Sequence, residues 1–346
     1  MKYSQVSLSR RGLLAAGGAV GAGALLAACG GDKGESGSSA ASAPAAAAGP
    51  WAFTDDQPKD LKADKTPAKV VAFTGTAAAL ADLGLQDKIV GVFGETKKAD
   101  GTAEAQAGSL DIGKVQIIGN AWGEFSVEKY AALAPELLVT HMFDPGAYWY
   151  IPDESKDQIL KLAPTATITV GRVPLTKPIE RYAELAKSLG ADLNAPKVAA
   201  DKARFEKAAA DLSAAAKAAG GIKVLAGSGA ADIFYVSNPK VSSDLMYFKE
   251  LGVDVIVPEK TDGGDYYESL SWENADKYHA DIIWLDARTG TLQPNDLASK
   301  PGWSALPAVK ANQVFPWQAV PIYSWAGSAP LLEALTAAIT KSKKLA

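Results

Sequence analysis

Short apolar runs alternate with amphipathic stretches along most of the chain. Lys69-Val70-Val71-Ala72-Phe73 predicts a strand, and the apolar spacing of residues 77–83 predicts a helix ended by Gly84. Further strands are predicted at 89–93, 117–118, 137–140 and 167–170, with helical pieces between several of them. From Lys223 the scheme restarts. Strands are predicted at 224–226, 233–236, 255–257 and 282–285, with a helix near 243–251 and a terminal helix from Ser328. Strands alternating with helices predict an α/β fold with parallel-type sheets. Between the halves, residues 178–219 are helical in pattern with a break near 190–196. Ala199, Ala203, Phe205, Ala209, Leu212 and Ala216 recur there among charges, a pattern that suits a surface helix. Its position between two similar halves makes it a connecting strut. The predicted organisation is a lobe at 51–176, a helical connection at 177–220 and a second lobe at 221–346.

The start of the chain breaks this rhythm. Ser9-Arg10-Arg11-Gly12-Leu13-Leu14 precedes a weakly apolar run that ends in Leu26-Ala27-Ala28-Cys29. A charged start, an apolar middle and small residues at the end describe an export signal over 1–28. The paired arginines resemble a twin-arginine signal. Leu-Ala-Ala-Cys resembles the lipobox of bacterial lipoproteins, which implies cleavage before Cys29 and a diacylglyceryl group on its sulfur. A membrane-spanning anchor is the alternative, but residues 12–28 are short for a span and five of them are glycine. Residues 29–50 are rich in Gly, Ser, Ala and Pro and cannot repay ordering by burial, so they read as a flexible tether. Each buried methylene of the lipid contributes roughly 0.8 kcal/mol, and two chains anchor durably. The expected location is the outer face of the cytoplasmic membrane.

Composition narrows the function. With 346 residues, 48% of them hydrophobic, the chain can build two packed cores. The formal charge is −4; losing Lys2, Arg10 and Arg11 with the signal lowers it by three. An acidic body with two histidines lacks the electrostatic footprint of a nucleic-acid binder. The single cysteine excludes an internal disulfide or a cysteine-rich metal cluster.

The halves echo each other at one point. Ser126-Val127-Glu128 and Pro135-Glu136-Leu137-Leu138-Val139 lie on Ser271-Trp272-Glu273 and Ala280-Asp281-Ile282-Ile283-Trp284 at a constant offset. Each Ser suits an N-cap, and each Glu sits in a first helical turn, where the dipole favours an acid. A purely stabilising role accounts for either motif alone; two at matching places suggest a duplicated design. The pattern resembles the iron-siderophore and cobalamin class of ABC-transporter substrate-binding proteins. It does so over roughly residues 67–343. The resemblance implies two Rossmann-like lobes joined by a single long interlobe helix, with a ligand cleft between them. It also implies modest lobe movement, a monomer, and delivery of cargo to a membrane permease. In relatives one glutamate on each lobe meets arginines of the permease; by motif these are Glu128 and Glu273.

The cargo is argued from chemistry. Bare divalent ions need three or four protein ligands, and only His141 and His279 are present. His279 reads as a structural helix residue. His141 follows a strand and can reach the cleft, but one imidazole does not hold a metal, so any iron arrives inside a chelator. The loops at strand ends carry Trp122, Phe143, Tyr148, Trp149, Tyr150, Tyr235, Tyr266, Tyr267, Trp317, Tyr323 and Trp325, which suit flat or cationic ligands. Core or capping roles compete for each of them. Beyond the signal the arginines are Arg172, Arg181, Arg204 and Arg288. Arg172 and Arg288 each follow a strand, one per lobe, and can donate to ligand oxygens. A local salt bridge, such as Arg288 with Asp286, is the alternative. Few bases among Glu124, Asp144, Asp262 and Asp265 suit a chelate of low net charge, and relatives that take hydroxamate siderophores look like this. A ferric hydroxamate of the ferrioxamine kind is the expected cargo, with cobalamin and haem as alternatives. The chain is not expected to be an enzyme. The cysteine is consumed by lipid, no Gly-x-Ser-x-Gly elbow or phosphate-cradling run is present, and Gly227-Ser228-Gly229 reads as a turn. A structural or signalling lipoprotein on the same fold is a third possibility.

Overall fold

A computed structural model describes residues 49–57 and 59–345. Cys29, the export signal and the tether up to residue 48 lie outside the described residues. Among those described, no helix is long and apolar enough to cross a membrane.

A hairpin comes first, β1 (Trp51–Thr54) antiparallel to β2 (Asp60–Ala63). Alternation along β1 turns Trp51 and Phe53 to the core. The first main sheet then forms from β3 (Val70–Phe73), α1 (Thr74–Asp82), β4 (Ile89–Phe93), β5 (Gln116–Gly119), α2 (Val127–Ala132), β6 (Leu137–Met142), α3 (Lys156–Leu162) and β7 (Thr165–Thr169). Its order is β5-β4-β3-β6-β7, and every neighbouring pair is parallel. β3 and β6 are buried throughout, which is why they read as unbroken apolar runs. The order reverses between β3 and β6, so the carboxyl ends of these two strands flank the switch point where a crevice opens.

Two helices follow, α4 (Thr176–Ser188) and α5 (Pro196–Ala218), broken around Gly190, whose φ is +97°. Pro196 opens α5, where its missing N–H costs nothing. At 23 residues α5 spans roughly 35 Å. Its buried stripe is Val198, Phe205, Ala208, Ala209, Leu212 and Ala216, while Ala199 and Ala203 of the recurring apolar set are exposed.

The second sheet uses β8 (Lys223–Gly229), β9 (Ile233–Ser237), α6 (Ser243–Glu250), β10 (Asp254–Val255), β11 (Tyr267–Ser271), β12 (Ile282–Asp286), α7 (Pro294–Leu297), α8 (Pro307–Lys310), β13 (Val314–Trp317) and α9 (Trp325–Lys341). Its order is β11-β9-β8-β12-β13, with β10 beside the start of β8. This sheet is mixed, not parallel throughout. Three residues join β8 to β9, too few for a helical crossover, so β9 runs antiparallel and β11 antiparallel to it. Gly227-Ser228-Gly229 belongs to β8 and not to a turn. The switch point here lies between β8 and β12. α9 begins at Trp325, where Ser324 Oγ accepts from Gly327 N at 2.9 Å, and it packs along α5 and against α1. One continuous apolar core links both sheets through α5 and α9.

The duplicated motif is only half symmetric. Ser126 caps α2, its Oγ accepting from Lys129 N at 3.2 Å. Ser271 precedes a single 3-10 turn, Trp272–Asn274, and caps no backbone N–H. His279 lies outside any helix, a correction to its reading as a helix residue.

Candidate functional site

The chain leaves the first sheet at residues 170–175 and is stitched there to the second. Gly171 bridges Ser242, Arg172 N donates to Val241 O at 2.8 Å, and Leu175 N donates to Ser243 O at 2.9 Å. Only glycine fits at 171, since a Cβ would stand 2.4 Å from Phe143 O and 2.6 Å from Tyr266 Oη. Beside this seam, between the carboxyl ends of the two sheets, is a cavity of about 590 Å³. Phe143, Asp144 and Trp149 line it from the first lobe. Ser228, Tyr235, Ser242, Tyr266, Tyr267, Arg288, Trp317, Ala319 and Val320 are among the residues that line it from the second.

The first-lobe wall is layered aromatic. Phe143 and Trp149 meet edge to face at 4.6 Å, and Phe143 stands 5.9 Å from Tyr266 across the cleft. Behind them, at the end of β6, His141 is packed by Phe73, Phe143, Trp149 and Tyr323 at 5.0–5.9 Å. It is 1% exposed, and neither ring nitrogen has a hydrogen-bond partner. Burial pushes its pKa down to about 3, so the imidazole is neutral at physiological pH. The indole N–H of Trp149 is likewise buried and unpartnered. Trp122, 66% exposed and not itself part of the lining, stands edge-on to Trp149 at 5.1 Å and Tyr150 at 4.8 Å. A pinned loop presents it: Asn120 Oδ1 accepts from Lys97 N at 2.9 Å, and Asn120 N donates to Glu124 Oε2 at 3.0 Å.

The second-lobe wall is held by hydrogen bonds. Asp286 ends β12 fully buried and accepts from Arg288 Nε at 3.0 and 3.1 Å, from Arg288 Nη2 at 2.7 Å and from Ser228 Oγ at 2.8 Å. The guanidinium therefore stands in the cavity wall with its charge matched. Trp317 ends β13, and its Nε1–H donates to Asp244 Oδ2 at 2.7 Å. Burial, with the charge of Asp286 adding to it, pushes Asp244 up to about 7. Tyr235 on β9 meets Tyr267 on β11 edge to face at 4.7 Å.

Other aromatics singled out from sequence are not among the residues that line the cavity. The Tyr148 hydroxyl donates to Gln57 Oε1, in the β1–β2 turn, at 3.2 Å. Tyr150 is buried at a φ of +61° against Phe73, and its pKa is raised by burial and by the charge of Glu95. Tyr323 is core, stacked on Tyr182. Trp325 opens α9 with Lys202 Nζ 5.6 Å above its ring. Arg172, at a φ of +60°, is committed elsewhere. It donates to Asp144 Oδ1 at 3.1 Å and Gly264 O at 2.7 Å, lies 3.8 Å from Asp265, and clasps one lobe to the other. Glu128 and Glu273 are exposed, one on each lobe, and neither makes an ion pair among the described residues.

Sequence reasoning missed Asp244 and Ser228 as site residues. A partner 73 positions away leaves no trace in local pattern, whereas Asp286, two residues before Arg288, was visible as a local alternative. Among the described residues no group of three His, Cys, Asp or Glu converges to hold a metal ion.

Residues 70–321 match the family model described as periplasmic binding protein. No curated protein matches the chain. Among solved structures, the ferric-siderophore receptor protein DesE from Streptomyces coelicolor is 51% identical, with a TM-score of 0.82 over 86% of this chain and 100% of that one. The siderophore periplasmic binding protein from the fuscachelin gene cluster of Thermobifida fusca is 20% identical, with a TM-score of 0.56 over 79% of this chain and 96% of that one. The iron uptake ABC transporter substrate-binding protein PiuA from Streptococcus pneumoniae is 19% identical, with a TM-score of 0.61 over 84% and 96%. The last two are similar in fold.

Proposed function

The chain belongs to the periplasmic binding protein family, and on that premise we propose that it captures a ferric siderophore of low net charge, of the hydroxamate kind, for an ABC permease. The observation that carries this reading is the make-up of the cavity. Its walls are aromatic and its one arginine is neutralised from behind by Asp286. A triply negative ferric catecholate would meet Asp144 and no cluster of bases, whereas a neutral or cationic chelate loses little on entering. Similarity to the ferric-siderophore receptor DesE supports the same class. Haem would have to take its axial ligand from the cavity tyrosines Tyr235, Tyr266 and Tyr267, because the one imidazole near the cavity is walled off by Phe143 and Trp149. Cobalamin has no observation in its favour.

The mature chain, in this reading, is held by lipid on Cys29 at the outer membrane face after export by the twin-arginine route. Glu128 and Glu273 are the acids that meet the permease. The full chain carries eight tryptophans, so ligand entry is readable as fluorescence quenching. Titration with a ferric trihydroxamate is expected to quench saturably at micromolar or lower concentration, with a ferric tris-catecholate at least about tenfold weaker. A response to cobalamin or haem alone would sink the reading. Charge reversal at Glu128 and Glu273 is expected to stop uptake and leave affinity unchanged; a fall in affinity would assign these acids to the cleft or the fold.

A further inference from the structure

We propose that Asp244 is a positioning residue of the cleft, its buried carboxyl fixing the indole of Trp317 in the wall that faces the ligand. The inference rests on the cavity being the ligand site. Trp317 closes β13, and the residues after it, Ala319 and Val320, line the same cavity without regular secondary structure. The orientation of this indole therefore sets the shape of the wall. One polar contact holds it, Nε1–H to Asp244 Oδ2 at 2.7 Å, with the two residues 3% and 1% exposed.

Asp244 is itself tied to the seam between the lobes. It lies in the first turn of α6, which favours an acid there. The residues just before it make the cross-lobe contacts, Ser242 bridging Gly171 and Ser243 O accepting from Leu175 N. One carboxyl thus couples the interlobe seam to the cleft wall.

The charged and titratable groups around Asp244 are Asp286 on β12, itself held by Arg288, and Tyr323 before α9. Asp286 opposes ionisation of Asp244, and burial acts in the same direction. With its pKa near 7, the carboxyl is part-ionised at neutral pH. An ionised carboxylate is the stronger acceptor, so the anchor on Trp317 tightens as pH rises through that value and slackens below it.

The test uses the full chain with its tryptophan indoles labelled with nitrogen-15. The Trp317 Nε1–H resonance, assigned by its absence in W317F, is expected to move with pH about a midpoint near 7 in the native chain. It should be independent of pH in D244N, which keeps an acceptor but no charge. Affinity for a ferric trihydroxamate is expected to fall about tenfold or more in D244L and W317F, and about threefold or less in D244N. A Trp317 Nε1–H resonance that keeps its native position in both D244N and D244L overturns the assignment. So does D244L binding the chelate like the native chain. Should D244L fail to fold, D244N and W317F decide. Should the native chain bind no ferric hydroxamate, the functional reading fails, while the indole resonance in the Asp244 variants still decides the role of Asp244.

Discussion

The two walls of the cleft arise at equivalent places, the switch points of two α/β sheets, and are built on opposite principles. In the first lobe the ends of β3 and β6 deliver Phe73 and His141, and the wall is rings packed on rings with both imidazole nitrogens unpaired. In the second, the ends of β8 and β12 deliver Ser228 and Asp286, and Ser228, Arg288 and Trp317 each donate to a buried carboxylate behind the wall. A wall held by contact area can yield to the shape of an apolar ligand. A wall held by directional bonds fixes where a ligand's oxygens meet a donor. The second wall should therefore be the brittle one. Replacing Asp286 by Ala strands the Arg288 guanidinium and removes the acceptor of Ser228. The expected loss is about 3–5 kcal/mol in urea unfolding, as for a buried pair broken on one side. A loss below about 1 kcal/mol would mean that the second wall is no more dependent on its bonds than the first.

Acidity separates the walls more finely, because each holds a buried group whose displaced pKa acts below pH 8. His141 has a folded pKa of about 3 against an ordinary value of 6.5. The unfolded chain binds the proton first, so stability drains as pH falls from about 6.5 towards 3. Asp244 has a folded pKa of about 7 against 3.8. Here the native state keeps a proton that the unfolded chain has lost, so stability drains as pH rises from about 4 to 7. Between about pH 4 and 6.5 the two slopes oppose, each at most about 1.4 kcal/mol per pH unit. The native chain should be nearly flat across that window. His141→Phe should expose the falling slope with rising pH, and Asp244→Asn the opposite slope. Urea midpoints measured at intervals from pH 4 to 8 check both, and two variants with the same slope would refute the pairing.

Legibility from sequence followed the same division. Apolar runs long enough to be buried on both faces, such as those of β3, β6 and β12, announced the α/β fold. Gly84, with a φ of +90°, ended α1 where the pattern placed its end. β1, β2, β11 and β13 were missed because short strands with mixed polarity carry little periodicity. The aromatic wealth of the loops was visible, but its partition was not. Tyr148, Trp149 and Tyr150 are consecutive, yet one turns to Gln57, one lines the cavity and one is buried by a positive φ. No local rule distinguishes them, since the division comes from what other segments bring alongside.

The smallest expected effect concerns Arg172, the clasp between the walls. Its side chain is 40% exposed and its ion pair with Asp144 is 43% exposed on the acid side, so water screens it. Exposed pairs of this kind contribute about 0.2–1 kcal/mol. Its backbone, at a φ of +60°, sits where a side chain is a strain and glycine is not. Arg172→Ala should therefore cost up to about 1 kcal/mol by losing the clasp alone. Arg172→Gly should recover most of that cost by relaxing the backbone, ending within about 0.5 kcal/mol of the native chain. Ligand affinity is the sharper discriminator. A guanidinium already committed to Asp144 and Gly264 O has little left to offer a ligand, so affinity for a ferric trihydroxamate should change less than about threefold in either variant. A loss beyond tenfold in both would make Arg172 a ligand contact, and the second wall would no longer be the sole source of a guanidinium in the cleft.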